Sequence, residues 1–228
     1  MSAARDTIFA GIRQALRRGP VPAETAAALT ERVAAHRRNL VPASAAALDP
    51  NGRIDLFVAM AEEVQTSVTR VASEAEVPGE VARYLAAENL SAELVMAPDP
   101  ALEAIPWQDR PLLSIRRGRA EPGDAVSLSS CLAAVAETGT LMLVSGPETP
   151  TTLNFLPDTQ IVVLRAGQVV ASYEDGWDLV RQCGAMPRTI NFITGPSRTG
   201  DIEQRIQLGA HGPRRLHIVL IEDDAPTR

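Results

Sequence analysis

Short, almost continuous aliphatic runs separated by polar segments fill the second two thirds of the chain. Such runs are typical of parallel strands that are buried on both faces. They predict strands at 69–72, 93–96, 112–115, 125–128, 140–144, 160–164, 169–170, 189–194 and 216–221, with a hairpin turn at Gly167-Gln168. Between them, helices are predicted at 77–87, 129–135, 151–155, 173–183 and 203–208. The pattern therefore predicts an α/β fold with a mainly parallel sheet covered on both faces.

The strand pattern also predicts which side chains form the core. Eight residues on these runs are expected to be buried because the runs are almost uniformly apolar. They are Leu141, Leu143, Val162, Leu164, Ile190, Phe192, Ile218 and Leu220. Trp107 and Trp177 are interpreted as core or interface residues rather than as stacking platforms for a substrate.

Helical spacing of apolar residues marks the first part of the chain. It predicts helices over residues 3–18, 23–38 and 54–67. Gly19 and Pro20 end the first helix, and residues 42–52 are a linker of small residues. We therefore expect an N-terminal helical extension, residues 1–50, and an α/β domain, residues 51–228.

Charge and residue usage exclude several classes of function. The chain has a net charge of −6 and no cluster of positive residues, so nucleic acid is not an expected partner. All 22 basic residues are arginine, which excludes mechanisms that need a lysine amine, among them Schiff-base chemistry, pyridoxal-phosphate catalysis and the P-loop. Neither a dinucleotide-binding glycine fingerprint nor a hydrolase nucleophile elbow is present.

The two cysteines, Cys131 and Cys183, are far apart in the sequence and form no Cys-x-x-Cys motif. They cannot hold a structural zinc or an iron–sulfur cluster alone, and each is expected to be a buried free thiol. The N-terminus lacks an apolar signal core, and no apolar run approaches the length of a membrane span. We therefore expect a cytoplasmic protein with no membrane-spanning segment and no metal.

Three polar clusters are candidates for chemistry, and the first is Ala136-Glu137-Thr138-Gly139-Thr140, before an apolar strand. One interpretation is a turn in which Gly139 supplies backbone freedom and Glu137 is solvated. The other is a pocket rim carrying a carboxylate and the hydroxyls of Thr138 and Thr140, with Glu137 as a catalytic candidate.

The second cluster is the turn from Gly195 to Glu203, between a predicted strand and a predicted helix. Free backbone N–H groups, the helix dipole, the hydroxyls of Ser197 and Thr199 and the charge of Arg198 are typical of an anion site. In open α/β sheets ligands bind at the carboxyl ends of strands. The alternative is an ordinary helix cap in which Arg198 pairs with Asp201 or Glu203.

The third cluster is Gly209-Ala210-His211-Gly212-Pro213. A histidine between glycines can titrate near neutrality and is a second catalytic candidate, although a structural role in the turn remains open. His217 follows six residues later, which is not a chelating spacing, so no metal site is predicted. Glu137, Ser197, Arg198, Thr199 and His211 are expected to share one pocket.

Taken in order, these clusters resemble the lactate utilization protein C family, whose core is the LUD domain. The resemblance lies in Ala136–Thr140, Leu156-Pro157, Gly195–Glu203 and Gly209–Pro213, followed by the strand at 216–221. It is strongest over residues 120–222. Gly200 departs from the family pattern, which often has alanine there.

The resemblance implies a three-layer α/β/α sandwich similar to the ribose-5-phosphate isomerase and CoA-transferase class. It also implies a bacterial protein of carbohydrate metabolism that helps to oxidise L-lactate to pyruvate, as a component of an L-lactate dehydrogenase complex. Two partner proteins share that role, one with cysteine-rich iron–sulfur motifs. No cofactor is expected in this chain itself.

Three hypotheses remain open. The chain is a subunit of a lactate-oxidising assembly that binds a small carboxylate or phosphate through Thr138, Gly139, Thr140, Ser197, Arg198, Thr199 and Asp201. In the second hypothesis the chain is a stand-alone isomerase or acyl-transferase with Glu137 as base or nucleophile. Or it is a non-catalytic assembly protein whose helical extension holds its partners.

Overall fold

The structure, a computed structural model, describes residues 3–17, 19–39, 41, 43–199 and 207–222, without the side chains of Thr199 and Gln207. The chain divides between residues 40 and 41 into two compact units. Within the described residues no helix is long and apolar enough to cross a membrane.

Seven α-helices occur in the described part of the chain. They are α1 Ala3–Ala15, α2 Ala23–Ala35, α3 Ala43–Ala46, α4 Pro50–Glu63, α5 Val77–Ala87, α6 Pro100–Glu103 and α7 Tyr173–Gln182. The strands described there are β1 Ser67–Val71, β2 Glu93–Met96, β3 Ser114–Arg117, β4 Val126–Ser130, β5 Ala133–Val135, β6 Thr140–Val144, β7 Thr159–Arg165, β8 Val169–Val170, β9 Ile190–Ile193, β10 Arg198–Thr199, β11 Gln207–Leu208 and β12 Arg215–Ile221.

The first unit contains α1 and α2, as the sequence predicts. Neither helix has a buried residue, and the apolar residues of both are exposed. Their exposed large side chains are Ile8, Phe9, Ile12, Leu29 and Val33. The predicted helical pattern is therefore confirmed.

The second unit is organised by a six-stranded sheet in the order β1-β12-β7-β4-β2-β3. Every neighbouring pair in it is parallel. Helix α5 and neighbouring segments cover one face, around Val81, Leu85 and Trp107. This architecture confirms the predicted α/β fold with a mainly parallel sheet.

A second sheet, in the order β8-β5-β6-β9, lies on the other face beside α4. Its β5–β6 and β6–β9 pairs are antiparallel, and β5–β8 is parallel. Leu141 and Leu143 of β6 pack with Ile218 and Leu220 of β12 between the two sheets. Helix α7 covers the outer face of the second sheet. The sequence did not predict this additional layer.

Four local predictions are wrong. Residues 129–135 are the end of β4 and the strand β5 rather than a helix, because Ala134 is buried between the two sheets and Ala133 on the opposite face, under α7. Gly167-Gln168 belongs to a 3-10 turn, and β8 pairs with β5 rather than returning along β7. Phe192 is 39% exposed and Ile190 is only half-buried, because β9 is an edge strand. The other six predicted core residues are buried.

The thiols differ in environment. Cys131 is buried, and burial raises the pKa of its thiol to about 12. Cys183, at the end of α7, is exposed, so its predicted burial is wrong.

Candidate functional site

The turn between β5 and β6 carries the first cluster and packs directly on α4. Gly139 has a φ of 63°, and a Cβ at this position would lie 2.6 Å from the carbonyl carbon of Met60. Only glycine fits this left-handed conformation and this contact without displacing the helix backbone. The close approach fixes Glu137, Thr138 and Thr140 beside the C-terminal half of α4.

Four hydroxyl groups meet at the base of this turn. Thr138 Oγ1 lies 2.7 Å from Thr140 Oγ1 and donates to the Tyr173 hydroxyl at 3.1 Å. Thr140 Oγ1 lies 2.9 Å from the Tyr173 hydroxyl and 2.7 Å from Thr194 Oγ1. Antiparallel pairing of β6 with β9 brings Thr140 next to Thr194. The first cluster is thereby connected to the start of the second.

Gly195 directly follows Thr194 of this hydroxyl cluster in the sequence and also packs on α4. Its φ is 80°, and a Cβ here would lie 2.6 Å from the carbonyl oxygen of Val64, directly after the helix. Two glycine turns from distant parts of the sequence therefore contact the same end of α4.

Ser197 joins the second cluster to the third. Its backbone N–H donates to Pro213 O at 2.8 Å, and its carbonyl accepts from Gly209 N at 3.0 Å. Its hydroxyl accepts from His211 N at 3.1 Å. Gly212 lies against Ser197 and Phe155, so the Leu156-Pro157 segment also adjoins this loop. We call Glu137–Thr140, Tyr173, Thr194–Arg198 and Gly209–Pro213 together the amino-edge site.

This site lies at the amino ends of the parallel strands, not at their carboxyl ends as expected. The loop Gly209–Pro213 leads into β12, and Arg214 N and Arg215 N both donate to Asp158 O immediately before β7. Helix α4 ends here, just before β1. The expectation is wrong because two of the clusters are carried by the second sheet and its connections.

The predicted site residues have different environments. Glu137 is half-buried, and its Oε2 is a buried atom with no hydrogen-bond partner among the described residues. Arg198 and His211 are exposed. The Thr199 side chain and Asp201 lie outside the described residues. The hydrogen bonds therefore form two groups. One joins Thr138 and Thr140 to Tyr173 and Thr194, and the other joins Ser197 to the His211 backbone.

The predicted helix cap is not what the described residues form. Arg198-Thr199 is a strand paired antiparallel with Gln207-Leu208, so the predicted helix does not include Gln207 and Leu208. Residues 200–206, including the start of that helix, lie outside the described residues. The Ser197 hydroxyl accepts a hydrogen bond from the backbone N–H of His211.

Sequence reasoning missed Tyr173 and Thr194. Tyr173 is the first residue of α7, whose start is marked by the Ser172–Asp175 capping box. Its position beside Thr138 depends on the pairing of β5 with β8, which no local pattern indicates. Asn191 Nδ2 and Thr66 Oγ1, in β9 and directly before β1, are also buried without a hydrogen-bond partner among the described residues.

The described side chains suit a polar organic ligand. Hydroxyls both donate and accept hydrogen bonds, the free Glu137 oxygen accepts, and Arg198 donates. In the described part of the chain no three His, Cys, Asp or Glu residues are placed to hold a metal ion. Two cavities of about 360 Å³ lie elsewhere, one beside Arg116 and Asp124 and one beside Leu85 and Leu113.

Comparison with known proteins identifies the family. The family model of the LUD domain matches residues 123–221, which include every segment of the amino-edge site. Lactate utilization protein C of Deinococcus radiodurans is 34% identical over 158 residues, covering 65% of this chain and 70% of the relative. The chain belongs to the lactate utilization protein C family.

Other family members match over a shorter region. Lactate utilization protein C of Bacillus subtilis is 34% identical over 93 residues, 39% of each chain. The chain thus aligns with less than half the length of that relative. A crystal structure of a DUF162 family protein from Deinococcus radiodurans superposes with a TM-score of 0.60 at 26% identity, covering 76% of this chain and 99% of that one. Sequence and fold therefore agree on the family.

Proposed function

We propose that the chain acts in lactate utilization, as a subunit of an L-lactate-oxidising assembly. This subunit would bind the small carboxylate substrate, and its partners would carry the iron–sulfur clusters. The observation that supports this most directly is the family match. Relatives named lactate utilization protein C are 34% identical to this chain over the aligned residues, and the family model matches residues 123–221, which contain the amino-edge site.

The chemistry of the amino-edge site favours a 2-hydroxy carboxylate. Arg198 is exposed, and its guanidinium can hold a carboxylate through two parallel hydrogen bonds. The unpaired Glu137 Oε2 can accept a hydrogen bond from the ligand's hydroxyl group. L-lactate carries a carboxylate and a hydroxyl group on adjacent carbons, which matches these two kinds of protein group.

The electrons of lactate oxidation would pass to iron–sulfur partner proteins. The two thiols of this chain cannot share one cluster, because Cys131 is buried and Cys183 is exposed at the end of a surface helix. A subunit that positions the substrate next to a cluster-bearing partner is consistent with this cysteine content.

Growth on L-lactate tests the proposal. Deleting the gene from its host should impair growth on L-lactate as the only carbon source and leave growth on pyruvate unchanged. A plasmid copy should restore growth, and a copy with Glu137→Gln, which keeps the side-chain volume, should restore it poorly. Normal growth of the deletion strain, with no paralogue present, would contradict the proposal.

A stand-alone enzyme is the second candidate, because Glu137 has a carboxylate oxygen free to act as a base. The purified chain would then turn over a sugar phosphate or an acyl-CoA, and Glu137→Gln would lower kcat by a factor of about 100 or more, the usual worth of general base catalysis. Complete inertness of the wild-type protein across such substrates would eliminate this candidate.

A further inference from the structure

A second group of reactive side chains lies on the face of the six-stranded sheet that is covered by α5, opposite to the face covered by α4. Ser67 and His217 are register partners on β1 and β12, and the His217 ring stacks on Tyr84 of α5. Their neighbours in sequence, Val68 and Ile218, contact the α4 face, so Ser67 and His217 point away from the amino-edge site. None of these residues belongs to that site.

Ser67, His217 and Glu80 are arranged in series. Ser67 Oγ lies 2.8 Å from His217 Nδ1, and His217 Nε2 lies 3.4 Å from Glu80 Oε1. At 3.4 Å the carboxylate acts on the ring through its charge more than through a formed hydrogen bond, and Nε2 has no hydrogen-bond partner among the described residues. A negative charge beside Nε2 favours the tautomer protonated there. Nδ1 then accepts the proton of the Ser67 hydroxyl.

The surrounding side chains hold this arrangement rigid. The His217 ring stacks on Tyr84 with centroids 3.9 Å apart and planes 9° from parallel. Arg83 binds Glu80 through two hydrogen bonds, from Nε at 2.7 Å and from Nη2 at 2.5 Å. Histidine and carboxylate are buried, at 1% and 8% exposure, whereas Ser67 is exposed. A buried, oriented imidazole therefore lies within hydrogen-bond distance of the hydroxyl of an exposed serine.

We propose that Ser67 is a nucleophile activated by His217, with Glu80 as the residue that positions the imidazole, and that it accepts acyl groups from small carboxylic esters. A serine–histidine–carboxylate series activates nucleophiles on unrelated folds and is recognised by geometry rather than by sequence motif; here the two ring nitrogens have exchanged roles, with serine at Nδ1 and the carboxylate at Nε2. Arg83 Nη2 also lies 3.4 Å from Thr69 Oγ1, on the same face of β1 as Ser67 and about 7 Å along the strand.

The chemical step balances without any further reagent. Ser67 Oγ attacks the ester carbonyl carbon while its proton moves to His217 Nδ1. The bond from that carbon to the alcohol oxygen breaks, and the alcohol leaves with the proton from Nδ1. Water then attacks the acyl-serine by the same route, which releases the carboxylic acid and restores the Ser67 hydroxyl.

A fluorophosphonate probe tests the proposal, because it phosphonylates an activated serine with loss of hydrogen fluoride. We expect the full-length protein to be labelled, with the probe located on Ser67 by peptide mass spectrometry. Ser67→Ala should abolish labelling. Ser114→Ala should leave it unchanged, because Ser114 is another exposed serine at the start of an edge strand, with no histidine bonded to its hydroxyl among the described residues.

The role of the base needs separate variants. His217→Gln should slow labelling at least tenfold, and Glu80→Gln, which keeps the volume and the contact with Arg83, should slow it less. In the wild type the labelling rate should stay constant from pH 9 to pH 6 and fall as the pH approaches about 4, where burial has lowered the pKa of His217. An unlabelled wild type, label on another residue, or an unchanged rate in a folded His217→Gln protein would each overturn the proposal.

Discussion

At the scale of single residues, two glycines fix the geometry of the amino-edge site by letting turns contact the backbone at the end of α4. A glycine is needed either for a left-handed backbone conformation or for a close contact that a Cβ would block. Comparing Gly195 with Gly184 measures the two effects separately, because both have a φ of 80° but only Gly195 has a neighbour within 4 Å of an added Cβ. Gly184→Ala should cost about 1–2 kcal/mol for the left-handed conformation alone. Gly195→Ala should cost about 1–3 kcal/mol more, because its Cβ would clash with Val64 O. Urea unfolding of both variants measures the difference, and equal losses would show that the contact with α4 contributes nothing.

His217 should make stability depend on pH. Burial lowers its pKa from 6.5 to about 4, against the opposing attraction of Glu80. The folded state therefore binds fewer protons than the unfolded state between those pH values, and the free energy of unfolding falls as the pH drops from 6.5 towards 4. A shift of this size corresponds to a loss of roughly 3 kcal/mol. The other ionisable groups around the ring are Glu80, Arg83, Tyr84, Glu88 and Arg215.

Denaturant unfolding in steps of pH checks this expectation. Glu80, whose pKa is lowered below 4.5 chiefly by its hydrogen bond to Arg83 against the cost of burial, adds a loss of the same sign only at still lower pH. His217→Gln should therefore flatten the profile between pH 6.5 and 4.5. A wild-type profile that is already flat over that range would show that the buried imidazole accepts a proton without penalty.

At the scale of elements, apolar periodicity identified most helices and strands correctly, including α5, β2 and β6 at their exact bounds. It failed where tertiary packing decides. The sequence predicts a short helix at 129–135, but these residues end β4 and form β5, with Ala134 packed between the two sheets. Of the hydroxyl cluster, the sequence identified Thr138 and Thr140 but not Tyr173 and Thr194, because no local sequence pattern encodes the pairing of the elements that carry them. The three polar clusters themselves were found by composition and spacing.

Helix α1 supports an element-scale prediction. Ile12 is 47% exposed, and no residue of α1 is buried, so Ile12→Asp should change the free energy of unfolding by less than about 0.5 kcal/mol. Phe57→Ala on α4, where the ring is fully buried, should cost about 3–5 kcal/mol. If the extension holds a partner, Ile12→Asp should abolish co-purification with the lactate-oxidising proteins although the fold is intact. A large loss of melting temperature in Ile12→Asp would show that the helix face is part of the fold instead.

At the scale of the whole molecule, charge is distributed unevenly along the chain. Residues 1–40 contain seven arginines and three carboxylates, whereas residues 41–228 contain fifteen arginines and twenty-five carboxylates. The unit that carries the amino-edge site is therefore strongly acidic and repels anions at long range. An anionic ligand must then be held by local groups, and the exposed Arg198 is the cation of that site with no ion-pair partner among the described residues.

Arg198→Ala should therefore weaken the binding of L-lactate by about 1.5–3 kcal/mol, the usual worth of a hydrogen bond to a charged group. Because Arg198 is exposed, the melting temperature should change little. Arg188→Ala is the matched control, since it removes another exposed arginine, from the loop before β9, and lowers the net charge by the same amount. Titration calorimetry of the three proteins with L-lactate, pyruvate and phosphate distinguishes local recognition from overall charge. Equal losses in both variants would mean that the anion responds only to net charge, and unchanged affinity in Arg198→Ala would remove this arginine from the site.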